Sequence, residues 1–505
     1  MPADIPSHPI LSPEAAAALE KRLFAGDERA EWKAMAQAGV AVASAALGDM
    51  EEAGGFPAGG RILLLAGKGN NAGDAFIAAR DILGLYPGSS CDVLLAFGQR
   101  GLKSQASKAW RGLSEAGRGR VRAVTASEVG AAYDLCLDGI FGYQFRPPLP
   151  PGAVAAVAAA DRADIRLRAA VDLPSGLNSK GAFSADFTYA TGVAKAPLLS
   201  GTHAGRPRYL DLGFFEKEAP GAPAGADRVL LPSILRPLAG LRPFGIDKRT
   251  QGHLALVGGS EGYPGAILMA ALAALRSGVG LLTVFVPKAL AAAYAARAPE
   301  AMWVGMPETK SGALSAAGLR VFHARAGRAT ALAMGPGCGR DPGTHALLKA
   351  IARASKVPFL VDADGLQPDI VRTGKAPRIL TPHAGELERI ARGAELRPLA
   401  RSIPAVIVAK GPVTRVCAGG PAYHSFLGGP VLSRGGSGDV LAGLTGGLLA
   451  QTPHDPMLAA CRAVTLHGMA ADLLARARGQ AAVDILQLLD FLSPALRCAG
   501  SGRRG

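Results

Sequence analysis

The chain has 505 residues, of which 49% are hydrophobic and 19% are charged, and its formal net charge is +15. This length exceeds what one ordinary core holds, so we expect two or more domains, and the composition excludes a disordered chain. The lysines and arginines are scattered and form no dense run with aromatic residues. This pattern favours anionic small molecules over nucleic acid as ligands.

The cysteines indicate the redox compartment of the protein, and the apolar runs indicate whether it crosses a membrane. The six cysteines contain no C-x-x-C pair and show no zinc spacing with the nine histidines, which predicts reduced thiols and a cytoplasmic protein. The start of the chain contains proline and acidic residues, which predicts no signal peptide. The apolar run 266–275 ends at Arg276 and is too short to cross a bilayer. We therefore expect no membrane segment.

The first half begins with two predicted helices. After a loose start, Ser12-Pro13-Glu14 marks the beginning of the first helix. The second helix, at about 30–47, has small residues around Gly39 that suit a helix contact, including one between subunits of a homo-oligomer. We expect it to be a packing helix.

A strand at 61–66 then leads through the glycine-rich loop 67–74 into a helix at 75–83, the context of a dinucleotide-binding turn. Asn70 and Asn71 of this loop are not part of the dinucleotide-binding pattern. Their amide oxygens suit a hard cation, and their amide groups suit a ligand.

Three more strands are predicted in this half, at 91–97, 135–138 and 168–171. Polar or glycine-containing loops follow them, and ligands of open α/β sheets bind beyond the carboxyl ends of the strands. We therefore expect the side chains that follow these strands to converge on one site, namely Asn71, Asp138, Asp172 and Ser175.

The second half also alternates strands with helices. The segment 214–227 is rich in Ala, Pro, Gly and Glu and is predicted to be a linker. Strands are predicted at 254–257, 281–286, 331–334 and 405–409, and the stretches 359–365 and 379–386 show the same pattern of a strand followed by a loop. Glycine or acidic loops follow most of them, which predicts an α/β domain with a mainly parallel sheet.

A glycine-rich stretch near the C-terminus is the strongest candidate site. Gly435, Gly436 and Gly438 precede an apolar helix at 440–450, so backbone N–H groups can approach an anion at the helix start. Asp439 lies in the first turn, where a carboxylate can take a proton from a substrate hydroxyl.

Taken together, these segments resemble a known family. The second half resembles the ribokinase-like ADP/ATP-dependent NAD(P)H-hydrate dehydratases through Gly258-Gly259-Ser260 with Gly265-Ala266, Gly335-Pro336-Gly337, Asp362-Ala363-Asp364, and the stretches 381–386 and 435–439. The first half resembles the NAD(P)H-hydrate epimerase domain through the stretches 70–74, 138–142 and 172–177. The order of the halves is that of the bifunctional bacterial repair enzymes.

The resemblance implies a reaction for the second half. NAD(P)H hydrated at C6 of the nicotinamide ring occurs as two epimers, and the dehydratase removes water from the S epimer with ADP as phosphoryl donor and Mg²⁺ at the nucleotide. Asp439 is the implied base. The implied hydrate contacts are Ala266, Gly337 and His383. The implied nucleotide contacts are Lys410, Gly411, Pro412, Val413, Thr414, Gly435, Gly436, Ser437 and Gly438.

For the first half the resemblance implies interconversion of the R and S hydrates, with Asp172 as the candidate acid/base group. It places K⁺ near Asn71, Asp138 and Ser175. The implied hydrate contacts are Asn70, Asn71, Ala72, Gly73, Asp74, Gly142, Tyr143, Gln144, Phe145, Arg146, Pro147 and Pro148.

Two residues depart from the epimerase pattern. Ala72 and Ala75 replace glycines, and each adds a methyl where we expect the backbone to approach the ligand. They keep open the alternative that the first domain is a silent binding module. A second alternative is a ribokinase-like small-molecule kinase, against which the histidine of the 381–386 motif argues.

The predicted architecture is therefore α/β in two parts. A Rossmann-like, doubly wound domain at 1–213 is followed by the linker 214–227, a ribokinase-like domain at 228–497 and a disordered tail at 498–505. The expected ligands are the hydrates of NADH or NADPH and ADP or ATP.

Overall fold

The structure is a computed structural model that describes residues 4–216 and 225–500. These residues form two compact units, one built from 8–229 with 475–480 and the other mainly from 230–474 and the residues after 480. Most of the predicted linker lies outside the described residues. The predicted disordered tail is corrected in part, because 498–500 belong to the last helix, and 501–505 lie outside the described residues.

The elements of the first unit alternate between strand and helix along most of its length. They are β1 (Ser7–Leu11), α1 (Pro13–Phe24), α2 (Glu28–Met50), β2 (Arg61–Ala66), α3 (Asn70–Leu85), β3 (Ser90–Leu95), α4 (Ser104–Ala116), β4 (Val121–Val124), β5 (Ala132–Gly139), α5 (Pro151–Arg162), β6 (Asp164–Val171), β7 (Phe187–Thr191), β8 (Ala194–Lys195) and β9 (Arg206–Leu210).

Seven of these strands form a fully parallel sheet in the order β4-β3-β2-β5-β6-β7-β9. The order reverses between β2 and β5, which are neighbours up to the pair Ala66 and Gly139. In open α/β sheets the ligand crevice lies beyond the carboxyl ends of the strands at such a switch point. The loops after these two residues are therefore placed to form it.

Alternate residues of β2 contribute to two cores, one on each face of the sheet. Leu64 packs with Ala75 and Phe76 of α3, whereas Leu65 packs with Val157 of α5. A continuous apolar run is typical of a parallel strand that helices cover on both faces. The predicted doubly wound α/β fold of this half is confirmed.

The second unit follows the same alternation. Its elements are β10 (Arg228–Leu230), α6 (Arg236–Ala239), β11 (His253–Val257), α7 (Pro264–Arg276), β12 (Leu281–Pro287), α8 (Lys288–Arg297), β13 (Met302–Met306), α9 (Leu319–Arg325), β14 (Ala331–Met334), α10 (Pro342–Ala354), β15 (Phe359–Val361), β16 (Arg378–Leu380), α11 (Ala384–Ala391), α12 (Leu396–Ser402), β17 (Ala405–Ala409), β18 (Thr414–Cys417), β19 (Tyr423–Ser425), α13 (Ser437–Gln451), α14 (Pro456–Arg478) and α15 (Leu492–Gly500).

Its strands β13-β12-β11-β14-β15-β16-β17 are parallel neighbours, and β18 and β19 continue the sheet antiparallel. The order reverses between β11 and β14. Helices α13 and α7 pack so closely that a Cβ on Gly443 would lie 2.1 Å from the carbonyl oxygen of Ala270. The α/β prediction for this half is confirmed as well, although the β18–β19 hairpin was not predicted.

Two helices that the sequence analysis discussed can now be placed. Gly39 packs inside its own unit, because a Cβ there would lie 2.5 Å from Cβ of Ile77 on α3, so α2 is a packing helix at this residue, as expected. Among the described residues one helix, α14, is long and apolar enough to cross a membrane. Because 78% of its most apolar window is buried inside the protein, it resembles a core helix.

Candidate active sites

The predicted glycine-rich loop forms the N-terminus of α13. Gly436 precedes the helix with φ +91°, a conformation that favours glycine, and a Cβ there would lie 2.5 Å from Sδ of Met269 on α7. No side chain caps the helix, and the N–H groups of Gly438 and Asp439 make no hydrogen bond within the described residues. The loop therefore offers free donors at the positive end of a helix dipole.

Asp439 lies in the first turn of α13, as predicted. Burial raises the pKa of its carboxyl to about 7. The like charge of Asp362 adds to this rise, while the ammonium of Lys410 opposes it. A carboxyl with a pKa near neutrality is suited to accept a proton from a hydroxyl at physiological pH.

Lys410 follows β17 and lies among the acidic groups of this site. Its Nζ is 3.0 Å from Oδ1 of Asp362 and 3.9 Å from Oε2 of Glu386, and a Cβ on Gly438 would lie 3.3 Å from it. Burial lowers the pKa of Lys410, but these two carboxylates hold the pKa above its usual value. A charged ammonium therefore lies beside the glycine-rich loop.

The other predicted nucleotide contacts lie in the connection from β17 to β18. Gly411 and Pro412 are exposed, Val413 is half-buried, and Thr414 begins β18. The backbone N–H of Lys410 donates to the carbonyl of Pro382 at 2.9 Å, which joins this turn to the motif that contains the predicted histidine. Ser437, the first residue of α13, is buried.

His383 caps α11. Its Nδ1 accepts hydrogen bonds from the N–H groups of Gly385 at 3.1 Å and Glu386 at 3.4 Å, and Oε2 of Glu386 accepts one from the N–H of His383 at 2.9 Å. This is a capping box with histidine in place of the usual hydroxyl residue. The side chain is 63% exposed, so part of the ring remains open to a ligand.

Ala266 and Gly337 are neighbours at the switch point of the second sheet. Gly337 has φ +64°, and a Cβ there would lie 3.0 Å from Cβ of Ala266. Ser260 Oγ donates to the carbonyl of Gly337 at 2.8 Å, and the N–H of Gly259 donates to the carbonyl of Pro336 at 2.9 Å. These bonds join the loops after β11 and β14, and small residues line the junction.

A cavity of about 820 Å³ lies at the switch point of the N-terminal sheet, a volume that suits a small-molecule ligand. The predicted residues on its wall are Asn70, Asn71, Asp74, Gly142, Tyr143, Gln144 and Asp172. The wall also contains charged residues that the sequence analysis did not identify, including Glu20, Lys68, Lys103 and Lys195.

Asp138 is fully buried near the end of β5. Its carboxylate accepts hydrogen bonds from Oγ and N–H of Ser175, both at 2.7 Å, and from the N–H of Ile140 at 3.2 Å. Ser175 Oγ in turn accepts one from the N–H of Phe141 at 2.9 Å. Burial raises the pKa of Asp138 to about 6, although the bonds from Ser175 lower it. The hydrogen bonds between Asp138 and Ser175 therefore join the end of β5 to the loop after β6.

Asn71 and Asp172 converge as predicted, and Gly142 lies beside both. Asn71 Nδ2 donates to the carbonyl of Val171 at 3.0 Å. A Cβ on Gly142 would lie 3.3 Å from Oδ1 of Asn71 and 2.6 Å from Oδ2 of Asp172. Glycine at this position therefore keeps an amide oxygen and a carboxylate oxygen accessible to a ligand.

Asp172 forms a buried ion pair with Lys195 of β8. It follows β6 with φ +67°, which is uncommon for a residue with a side chain. Oδ2 accepts a hydrogen bond from the N–H of Tyr143 at 3.0 Å, and Oδ1 accepts one from Lys195 Nζ. Lys195 is only 1% exposed, and its Nζ lies 5.2 Å from the centroid of the Tyr143 ring.

Sequence reasoning missed Lys195, although a signal was present. It stands alone as a charge in the apolar run Val193-Ala194-Lys195-Ala196-Pro197-Leu198. A lysine inside such a run is almost never buried without a partner, so a search for a matching carboxylate would have identified the pair.

Two more carboxyl groups lie on the cavity wall. Burial raises the pKa of Asp74 well above its usual value, and the neighbouring charges of Asp172 and Glu20 raise it further. Burial also raises the pKa of Glu20, whose Oε2 accepts a hydrogen bond from the Tyr143 hydroxyl at 2.6 Å. Asp74 therefore keeps its proton to a higher pH than an ordinary aspartate.

The expectation for Ala72 and Ala75 is wrong. Helix α3 begins at Asn70 rather than near residue 75, so both methyls project into the core, where both residues are fully buried. A Cβ on Gly139 would lie 2.7 Å from Cβ of Ala75. The methyls therefore pack against protein rather than where a ligand approaches, which removes the reason for considering this domain silent.

Several predicted hydrate contacts lie away from the cavity wall. Gly73 packs against α2, where a Cβ would lie 2.4 Å from Sδ of Met35. Phe145 contacts Phe141, with ring centroids 5.1 Å apart, and Arg146 lies at the surface, 3.5 Å from Glu14. The neighbouring residues Pro147 and Pro148, joined by a cis peptide bond, are also outside the wall.

Two protein-family models match the sequence. The model described as NAD(P)H-hydrate dehydratase matches residues 254–494, and the model described as YjeF-related protein N-terminus matches residues 32–196.

Whole-length relatives are similar as well. The bifunctional NAD(P)H-hydrate repair enzyme Nnr of Moorella thermoacetica is 33% identical in an alignment 471 residues long that covers 86% of this chain and 87% of that protein. The enzyme of the same name from Gloeobacter violaceus is 34% identical in an alignment 511 residues long, gaps included, that covers 94% of this chain and 96% of that protein. The ADP/ATP-dependent NAD(P)H-hydrate dehydratase from Bacillus subtilis, co-crystallised with ATP and Mg²⁺, has a TM-score of 0.48 and 25% identity, covering 55% of this chain and 100% of that one.

Proposed function

Because the chain belongs to the family of bifunctional NAD(P)H-hydrate repair enzymes, we propose that Asp439 is the base of its dehydratase half and Asp172 the acid/base group of its epimerase half. The enzyme interconverts the R and S epimers of hydrated NAD(P)H, NAD(P)HX, and dehydrates the S epimer to NAD(P)H. We place the two domains at 1–213 and 228–497, a division supported by the change of compact unit between Val229 and Leu230.

In the dehydratase half, ADP is the phosphoryl donor in our proposal. Asp439 takes the proton of the C6 hydroxyl while the hydroxyl oxygen bonds to the β-phosphorus of ADP, and AMP leaves from that phosphorus. The C6–O bond then breaks, phosphate departs with the electron pair, and the lone pair of ring nitrogen N1 forms a C6=N1 double bond. Loss of a proton from C5 gives NAD(P)H. Phosphorylation is needed because hydroxide is a poor leaving group.

The proposal for Asp439 rests on the groups that surround its carboxyl. The base, with its pKa near 7, lies in the same helix turn as the free N–H groups of Gly438 and Asp439, and Lys410 lies beside them. Free N–H groups and an ammonium stabilise charge on a phosphoryl group in transfer. The nucleotide therefore lies along Lys410, the turn to Thr414 and the loop from Gly435 in our proposal, with the hydrate toward Ala266, Gly337 and His383.

Mg²⁺ fits this half as a companion of the nucleotide. Within the described residues, no group of three or more His, Cys, Asp and Glu side chains is arranged to hold a metal ion. Mg²⁺ commonly binds through one or two carboxylates together with substrate phosphates. Asp362 and Asp364, whose charges both raise the pKa of Asp439, are the side chains available for this, and the ion would neutralise charge on the phosphates.

In the epimerase half, Asp172 takes the proton of the C6 hydroxyl of the hydrate in the cavity as the C6–N1 bond breaks, which leaves an aldehyde at C6 and the electron pair on N1. N1 then attacks the other face of the aldehyde, and Asp172 returns the proton to the oxygen. Lys195 holds its carboxylate in place and compensates its charge. K⁺ fits the oxygen atoms nearby, because Asn71 presents its amide oxygen and Asp138 a buried carboxylate. Ser175 uses its hydroxyl to donate to Asp138 and to accept from Phe141, so we assign it the positioning of Asp138. K⁺ would supply positive charge beside the hydrate.

We also propose a cytoplasmic location and a homo-oligomeric enzyme. The five buried cysteines, Cys91, Cys136, Cys338, Cys417 and Cys461, form no disulfide, which supports a reducing compartment. Neither proposal changes the chemistry of the two sites.

Recovery of NADPH at 340 nm tests both activities at once. Purified protein is mixed with R- and S-NADPHX, ADP, Mg²⁺ and K⁺. Recovery beyond the S fraction, faster than spontaneous epimerisation, is the expected result. Recovery that stops at the S fraction would contradict the epimerase, and no recovery with ADP or ATP would contradict the dehydratase.

A further inference from the structure

The cavity of the epimerase half extends along the carboxyl edge of its sheet. At one side Asp172 follows β6, and at the other Phe97 lies just beyond β3. These strands are separated by β2 and β5 in the sheet order. Three strand spacings of about 4.8 Å place their ends roughly 14 Å apart. The cavity therefore has room for an elongated ligand whose reacting ring lies at Asp172.

Two lysines stand on the wall toward β3. The backbone N–H of Lys103 donates to the carbonyl of Lys68 at 2.9 Å, so their side chains start from adjacent backbones. Nζ of Lys68 lies 4.7 Å from the centroid of the Phe97 ring, which directs its stem toward the end of β3. Neither ammonium has a carboxylate within 4.0 Å among the described residues. Two uncompensated positive charges thus line this part of the cavity.

The start of α3 adds hydrogen-bond donors beside these lysines. Gly69 precedes the helix without a side-chain cap, and the N–H groups of Asn70 and Asn71 make no hydrogen bond within the described residues. Gly69, Asn70 and Lys68 all lie on the cavity wall. Ammonium groups together with free helix N–H groups are a combination that binds phosphate.

We infer that Lys68 and Lys103 bind the diphosphate that joins the two nucleotides of NAD(P)HX in the epimerase site. This rests on the proposed epimerase function and adds the anchor for a part of the substrate that does not react. Such an anchor binds the substrate and the transition state equally tightly. Its loss therefore raises KM without lowering kcat.

The test compares the double variant Lys68→Gln/Lys103→Gln with the unmutated chain on three R-epimer hydrates. Two are R-NADHX and R-NADPHX, and the third is the hydrate of reduced nicotinamide riboside, which has no phosphate. Epimerisation is followed by chromatographic separation of R and S. A matched control, Lys108→Gln/Lys180→Gln, removes two positive charges from the same unit outside the cavity wall.

For the lysine variant we expect KM for both dinucleotide hydrates to rise about 10- to 100-fold, since hydrogen bonds to charged groups are lost, with kcat and the riboside rate unchanged. Unchanged KM values, or an equal rise in the control, would overturn the inference. A rise in KM for R-NADPHX alone would overturn the inference, because it would show that the lysines bind the 2′-phosphate rather than the diphosphate. An unmutated chain that does not epimerise would overturn the epimerase function, and the inference with it.

Discussion

Nζ of Lys410 lies 3.0 Å from Oδ1 of Asp362, the same oxygen that accepts a hydrogen bond from Thr381 Oγ1 at 2.7 Å. This contact joins the end of β17 to the end of β15 beside the glycine-rich loop. Because Asp362 raises the pKa of Asp439 and Lys410 lowers it, the pair adjusts how readily the proposed base accepts a proton. The electrostatics of the dehydratase can therefore be tested at residues other than the base.

Replacing Asp439 should abolish dehydration without affecting the other half. Asp439→Asn keeps the shape of the side chain but cannot accept the hydroxyl proton, and loss of a general base costs about 10²- to 10⁴-fold in rate. We expect kcat for S-NADHX with ADP to fall by that factor, measured at 340 nm. Epimerisation of R-NADHX by the same preparation is the internal control. Dehydration at the unmutated rate would exclude Asp439 as the base.

The pH dependence of the dehydratase should follow the ionisation of Asp439. The base acts when ionised, so log kcat/KM for S-NADHX should rise with pH and level off above the pKa of about 7. Lys410 lowers this pKa, so Lys410→Met should move the rise to higher pH. Lys356→Met, an exposed lysine of the same unit, is the control. A profile flat from pH 5 to 8, or unmoved in Lys410→Met, would contradict the assignment.

Most strands could be predicted, because parallel strands buried on both faces appear as short apolar runs, and β2, β14 and β17 have the predicted bounds. The start of α3 could not be predicted, since a glycine-rich loop and a first helical turn have the same composition. Only the structure shows that Asn70 already belongs to the helix. This single difference of position decides that the methyl of Ala75 is core rather than ligand-facing.

The site could be predicted only where its residues share a motif. Asn71 and Asp172 come after strands and Asp138 lies near the end of β5, so the rule for carboxyl ends brought them together. Lys195 and Glu20 reach the same cavity from β8 and α1, elements that carry no recognised motif. Their side chains join the site through tertiary packing, which spacing along the sequence does not reveal.

The ion pair of Lys195 and Asp172 should matter for stability as well as for epimerisation. Lys195→Met leaves a buried carboxylate without its partner, which costs about 3–5 kcal/mol in the free energy of unfolding. We expect lower resistance of the N-terminal unit to urea and loss of epimerisation, with dehydration of S-NADHX retained. The double variant Asp172→Asn/Lys195→Met removes both charges and should recover most of the stability without activity. Equal stability of the single variant and the unmutated chain would contradict a buried ion pair.

Restoring glycine at positions 72 and 75 should not improve the epimerase. The methyls of Ala72 and Ala75 are fully buried in α3, so Ala72→Gly and Ala75→Gly remove packing and add backbone freedom inside a helix. Each should cost about 1–2 kcal/mol in the free energy of unfolding, measured by urea denaturation, with kcat/KM for R-NADHX no higher than in the unmutated chain. Ala158→Gly, on the exposed side of α5, is the control. It adds the same backbone freedom to a helix without removing buried packing, so it should lower the free energy of unfolding by less. A gain in epimerisation from either buried substitution would show that the methyls obstruct the ligand after all.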